Sequence, residues 1–226
     1  MRDHLFDWWR VRDDIDWAEL GTPDQEPVTG HPDGVVAYAA AGEPERAARL
    51  LAALAQVRDA AQAGAHLSLE LSSRWQAIVL GVGTVGFRDG PAFAKRGREH
   101  YGLGPDTRDR FEVCLAQATE AGTPLSARAA RVYLDVLFVH PFPDGNARAA
   151  MLAIYHVLVR ETVIIDIAEP LLRTVRRADD RDGAVDLVRL VEVLITHTRR
   201  RSAQPRHAGL RGDAAGVACG RQRWLA

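Results

Sequence analysis

Cysteine is nearly missing from this chain of 226 residues: Cys114 and Cys219 lie far apart and form no CxxC pair. Neither a disulfide framework nor a zinc module can be built from them, and a reducing, cytoplasmic setting is expected. Long apolar runs are missing too. Nowhere do about 18 apolar residues follow one another, as a spanning helix requires, and the opening MRDHLFDWWRVRDDIDW is charged from its second residue. No membrane contact and no signal peptide are expected. An excess of one charge is also lacking. A net charge of −1 and a pI near 6.7 give no pull toward nucleic acid, and no basic patch interrupts the apolar region. Lysine is reduced to Lys95, and the arginine and alanine that replace it read as the codon bias of a GC-rich bacterium.

What is present is enough for one core, since 47% of the residues are apolar. Trp8, Trp9 and Trp17 mark a short N-terminal helix, with the tryptophan pair as a packing anchor, and the Pro/Gly-rich GTPDQEPVTGHPDG reads as loop. In GEPERAARLLAALAQVRDAAQ, Leu50, Leu51, Leu54 and Val57 recur at helical spacing behind Glu43 and Glu45. A second helix is expected around Glu70 to Leu80, although LSLEL alone also fits a strand. The stretch TVGFRDGPAFAKRGREHYGLGPD reads as an exposed loop or short hairpin, with Lys95 and Arg96 as solvated charges. Three further helices follow from TRDRFEVCLAQATEA, from SARAARVYLDVLFV with Ser126 as N-cap, and from ARAAMLAIYHVLVR, which is apolar nearly all round. RRADDRD reads as a polar loop and VDLVRLVEVLITHT as the last helix; periodicity then fails from Arg199, where disorder is expected. The fold class is all-α.

Chemistry concentrates in HPFPDGNARAAM, His140 to Met151. Pro141 ends one helix, because its ring and missing N–H cannot continue the ladder. DGNA opens the next, whose first N–H groups are unpaired and carry the positive end of the peptide dipole, a natural seat for phosphate. Gly145 permits a turn that bares those groups, Asn146 can cap them or donate its amide to phosphate, and Arg148 adds a charged fork. Asp144 is placed to hold Mg²⁺, which takes one or two carboxylates and completes its shell with phosphate oxygens and water. His140 can take a proton near neutral pH, as a general base for a hydroxyl attacking phosphorus. His156, on the following helix, reads as a hydrogen-bonded core residue.

HPFPDGNAR resembles the HPFx(D/E)GNxR loop of the Fic/Doc family, and helix order is similar over residues 45 to 198, with the Gly-rich segment 84 to 103 in the place of that family's flap. The resemblance implies a Fic fold, a helical bundle with the loop between two central helices and a small flap hairpin. It divides the chain into an N-terminal extension at 1–45, a Fic domain at 46–198 and a tail at 199–226. It implies transfer of AMP, or another nucleotide or phosphate group, from Mg²⁺-bound ATP or another nucleotide donor to a hydroxyl of a protein target, with an antitoxin as a further expected partner. His140 would be the catalytic base, Phe142 a core anchor, Asp144 the metal ligand, and Gly145, Asn146, Ala147 and Arg148 the nucleotide-binding residues. Phe93 to Tyr101 would align the target.

Two positions depart from the pattern. AMP-transferring members usually have Gly at Ala147 and a second Arg at Met151. Without that Arg a triphosphate loses one charge-assisted contact, worth roughly 1.5 to 3 kcal/mol. Doc-like phosphoryl transfer, a small-molecule acceptor and a non-catalytic binding module therefore stay open as alternatives. The family's inhibitory motif is matched only in part by TPDQEP, Thr22 to Pro27, and Met151 leaves its glutamate nothing to grip, so no self-inhibition of that type is expected.

Overall fold

The computed structural model describes residues 2–22 and 26–204. In chain order the elements are α1 (His4–Asp14), a 3₁₀ turn (Trp17–Glu19), β1 (Val28–Thr29), α2 (Gly34–Ala40), α3 (Pro44–Gln62), α4 (Leu69–Leu80), β2 (Ala92–Ala94), β3 (Glu99–Tyr101), α5 (Thr107–Gln117), α6 (Leu125–Val139), α7 (Asn146–Arg160), β4 (Val163–Ile164), α8 (Glu169–Arg173) and α9 (Arg181–Ala203). The architecture is helical, as expected. Among the described residues the strands pair as a parallel β1–β4 contact and an antiparallel β2–β3 hairpin, with an isolated parallel bridge from Asp3 to His100 of β3.

The centre of the bundle is the pair α6 and α7, packed along their lengths, with α3 and α4 against α7 and α1, α5 and α9 against α6. Both central helices are apolar nearly all round, and nearly every residue of each is buried. Charged groups that α6 takes into the core are paired or hydrogen-bonded. Asp135, fully buried, accepts from Trp8 Nε1 at 3.0 Å and Arg12 Nε at 2.7 Å, which ties α1 to α6. Trp8 meets Trp17 edge-on at 6.4 Å and Phe138 at 5.3 Å, so it is a packing anchor.

LSLEL resolves as helix: Ser68 caps α4 by accepting from Leu71 N, and Gly81 closes it in the left-handed region. Ser126 is not a cap. Pro124 precedes α6, and Ser126 is buried within the first turn with its hydroxyl unpartnered. The short α2, capped by Asp33, and the two-residue strands carry too little periodicity to be read from sequence. At the other end α9 runs on to Ala203, past the expected boundary at Arg199, while the tail from 205 onward lies outside the described residues.

Candidate active site

The loop between α6 and α7 and the first turn of α7 carry His140, Phe142, Asp144, Gly145, Asn146, Ala147 and Arg148. His140 is the C-cap of α6, with φ +54° and ψ +52°, a left-handed backbone that is uncommon away from glycine and costs about 1–2 kcal/mol. That turn brings its half-buried ring back against α6, where Nδ1 sits 3.1 Å from the Leu137 carbonyl. A carbonyl can only accept, so Nδ1 carries the proton and Nε2 keeps its lone pair. Burial lowers the His140 pKa below its ordinary value. The Leu137 bond and the charges of Glu99 and Asp144 oppose that shift and Arg88 adds to it, so the imidazole is neutral at pH 7.

Phe142 is fully buried, as expected of a core anchor. Asn146 is placed otherwise than a phosphate donor would be. Its Oδ1 accepts from Phe142 N at 2.9 Å and its Nδ2 donates to Phe142 O at 2.8 Å, so both ends of the amide close the loop on itself. Gly145 has φ +74°, and a Cβ there would come within 2.5 Å of Gln76 Nε2 and 2.9 Å of Arg148 NH2. Gln76, fully buried on α4, donates to the Asp144 carbonyl at 2.6 Å and fixes the loop from below.

With the Asn146 amide engaged, no side chain caps α7. Gly145 N is taken by Asp144 Oδ1 and Arg148 N by Gly145 O, which leaves the Asn146 and Ala147 N–H groups, at the positive dipole end and beside the exposed Ala147, without a partner among the described residues. Arg148 stands half-buried on the same turn, 3.9 Å from an Asp144 carboxylate whose side chain is 81% exposed. Among the described residues no three His, Cys, Asp or Glu side chains gather as a metal cluster. Asp144, whose Oδ1 also accepts from Gly145 N at 2.6 Å, is the one carboxylate of the loop that could hold a metal ion.

Several contacts of the site escaped sequence reasoning. The Tyr101 ring, at the end of the β2–β3 hairpin, stacks on His140 with centroids 4.3 Å apart and planes 15° apart. Its hydroxyl donates to Glu99 Oε2 at 2.9 Å, and Glu99 Oε1 accepts from Lys95 at 2.7 Å, so Lys95 is paired within the hairpin. Arg88 is buried and joins the hairpin to the loop: its guanidinium donates to the carbonyls of Gly90, Gly102 and Val139, and its N–H donates to Pro141 O at 2.8 Å. Asp3 accepts from Gly102 N at 2.9 Å, so α1 braces the hairpin's far end. Met151 is core, 3% exposed, and presents no group to the loop. His156 is a fully buried core residue, as expected, and the backbone of Ala65 is the polar group that its ring meets, outside ideal hydrogen-bond geometry. The segment Thr22 to Pro27 falls partly outside the described residues.

Residues 67–158, from just before α4 to near the end of α7, match the model of the Fic/DOC family. Among solved structures, a Fic domain containing signaling protein from Bacteroides thetaiotaomicron is similar at 18% identity and a TM-score of 0.45, covering 70% of this chain and 73% of that one. No curated protein matches the chain.

Proposed function

We propose, on the premise that the chain carries a Fic/DOC family domain over residues 67–158, that it transfers AMP, or another nucleotide or phosphate group, from a Mg²⁺-bound nucleotide to a hydroxyl of a protein target. The observation that carries this reading is the pairing, on one loop, of a neutral His140 with a free Nε2 and an uncapped α7 N-terminus flanked by Arg148. Phosphates resting on those N–H groups are held by the helix dipole, with Arg148 on their outer oxygens. An acceptor hydroxyl attacks phosphorus, its proton passes to His140 Nε2, and the bond to the departing phosphate group breaks. Mg²⁺ held at Asp144 would neutralise phosphate charge during that displacement. The loop's own bonds at Phe142 and Gln76 keep this geometry fixed before any ligand arrives, which is where phosphoryl chemistry gains most of its rate.

The burial of Met151 favours a second reading. With Arg148 as the one cation that α7 brings to the loop, the outer phosphate of a triphosphate in the AMP-transferring orientation is held less firmly than in relatives with two arginines. A reversed nucleotide that donates its terminal phosphate, as in Doc toxins, needs no such second contact from α7.

One experiment separates the two. The protein is incubated in host lysate with each nucleoside triphosphate, labelled in turn at the α and the γ phosphate. Label retained from the α position marks nucleotide transfer and from γ alone marks phosphorylation. His140→Ala should lower either transfer by about 10²- to 10⁴-fold; undiminished transfer sinks the mechanism.

A further inference from the structure

A cleft of about 660 Å³ opens beside the loop, between α2, the first turn of α3 and the segment leading into α8, and Arg148 and Arg46 both line it. The packing explains why they meet. Arg58 of α3 donates to the Tyr155 hydroxyl of α7 at 3.1 Å, and Arg160 at the end of α7 reaches Ala65, just past the end of α3, at 2.8 Å. The two helices therefore run the same way and in step, which sets Arg46, at the start of α3, near the level of the loop at the start of α7.

The acids of this cleft are already engaged. Glu43 caps α3, accepting from Glu45 N at 3.2 Å and Arg46 N at 3.1 Å. Asp166 is held by Arg201, and Glu169 pairs with Arg173 at 2.6 Å. Glu45, one residue before Arg46, pairs with Arg49 instead. Of the three arginines that line the space, Arg173 is tied to Glu169, which leaves two guanidinium groups without a close carboxylate: Arg46, which is exposed and in no ion pair among the described residues, and Arg148, only loosely near Asp144. The space exceeds what one anion needs and falls within the range of sites for extended ligands.

We propose that Arg46 is the second cation of the donor site: the polyphosphate of the nucleotide, seated on the N-terminus of α7, extends into this cleft and is gripped between Arg148 and Arg46. The inference rests on reading the loop as a phosphate cradle. It makes α3 the source of the charge that α7 lacks at Met151, and it makes the protein selective for donors with more than one phosphate. Arg46 acts on binding and does not touch the acceptor.

Calorimetric titration of the full chain with ATP, inorganic tripolyphosphate and AMP, each with Mg²⁺, tests it. Arg46→Gln should weaken ATP and tripolyphosphate about tenfold or more, the loss of one charge-assisted contact, and change AMP by less than about twofold. Arg46→Lys should restore most of the loss, because a point charge still reaches phosphate. Equal affinity of the wild type and Arg46→Gln for ATP and tripolyphosphate overturns the inference and leaves the cradle standing. An equal loss for AMP also overturns it, since Arg46 would then act at the first phosphate. A wild-type chain that binds none of the three removes the cradle and the inference together.

Discussion

Tyr101 lies flat on His140, 4.3 Å between ring centroids, and so ties the β2–β3 hairpin to the loop's imidazole, the group there suited to take a proton near neutral pH. The stack covers a ring face and contributes to the burial that lowers the His140 pKa. For a general base the sign is simple. The neutral form is active, so activity rises with pH through the His140 pKa, and a lowered pKa moves that rise to the acid side of about 6.5. Tyr101→Leu should shift the acid limb of the pH–rate profile upward, toward that ordinary value, and lower the maximum rate, while Tyr101→Phe, which keeps the stack and loses only the Glu99 bond, should leave the limb in place. An unmoved limb in Tyr101→Leu would show that the stack does not govern the base.

Gly145→Ala should be costly for two separate reasons. Its φ of +74° disfavours any side chain by about 1 kcal/mol, and the new methyl would press on Gln76 Nε2, which holds the Asp144 carbonyl. Loss of nucleotide binding together with a stability loss of roughly 1–3 kcal/mol is expected. Denaturant unfolding and calorimetry measure the two effects, and unchanged binding would mean that the loop's shape is not set here.

Arg88→Met should destabilise the hairpin more than the bundle. The substitution removes the donors to Gly90, Gly102 and Val139 and leaves those carbonyls without the partner that now satisfies them, at a cost on the order of 2–4 kcal/mol. Hydrogen exchange should rise first in residues 88 to 102 and in His140, with α3 and α7 still protected. Uniform loss of protection across the helices would instead make Arg88 a general core residue.

The motif loop was legible because its chemistry is dense and local: a histidine, a carboxylate, a glycine, an asparagine and an arginine within one connection do not arise from packing needs. The long helices were legible from the spacing of Leu50, Leu54 and Val57 and from the apolar surface of α6 and α7. Contacts between distant segments were not. Nothing in the sequence brings Tyr101 to His140, Gln76 to Asp144 or Arg88 to Val139, since each pairing is set by how the helices and the hairpin pack and leaves no periodicity. The same limit explains Asn146. Its residue type suits a phosphate donor as well as a loop clamp, and only the backbone of Phe142, folded back to meet both ends of the amide, selects the clamp.

His156 makes the protein's stability depend on pH. Its fully buried ring packs against Trp75 at 5.4 Å. Burial, with the nearby charge of Arg160, lowers its pKa to about 4 against the opposing pull of the Ala65 backbone. An unfolded chain holds this histidine near 6.5, so between those values the unfolded state binds the proton and the folded state does not. Stability from this group is therefore full above about pH 6.5 and falls as the pH drops toward 4, by on the order of 3 kcal/mol in all. Urea unfolding at a series of pH values should trace that loss in the wild type, and His156→Phe, which keeps an aromatic against Trp75 and removes the titration, should flatten the curve between pH 6.5 and 4. A variant that loses stability with acid as steeply as the wild type would assign the dependence to other groups.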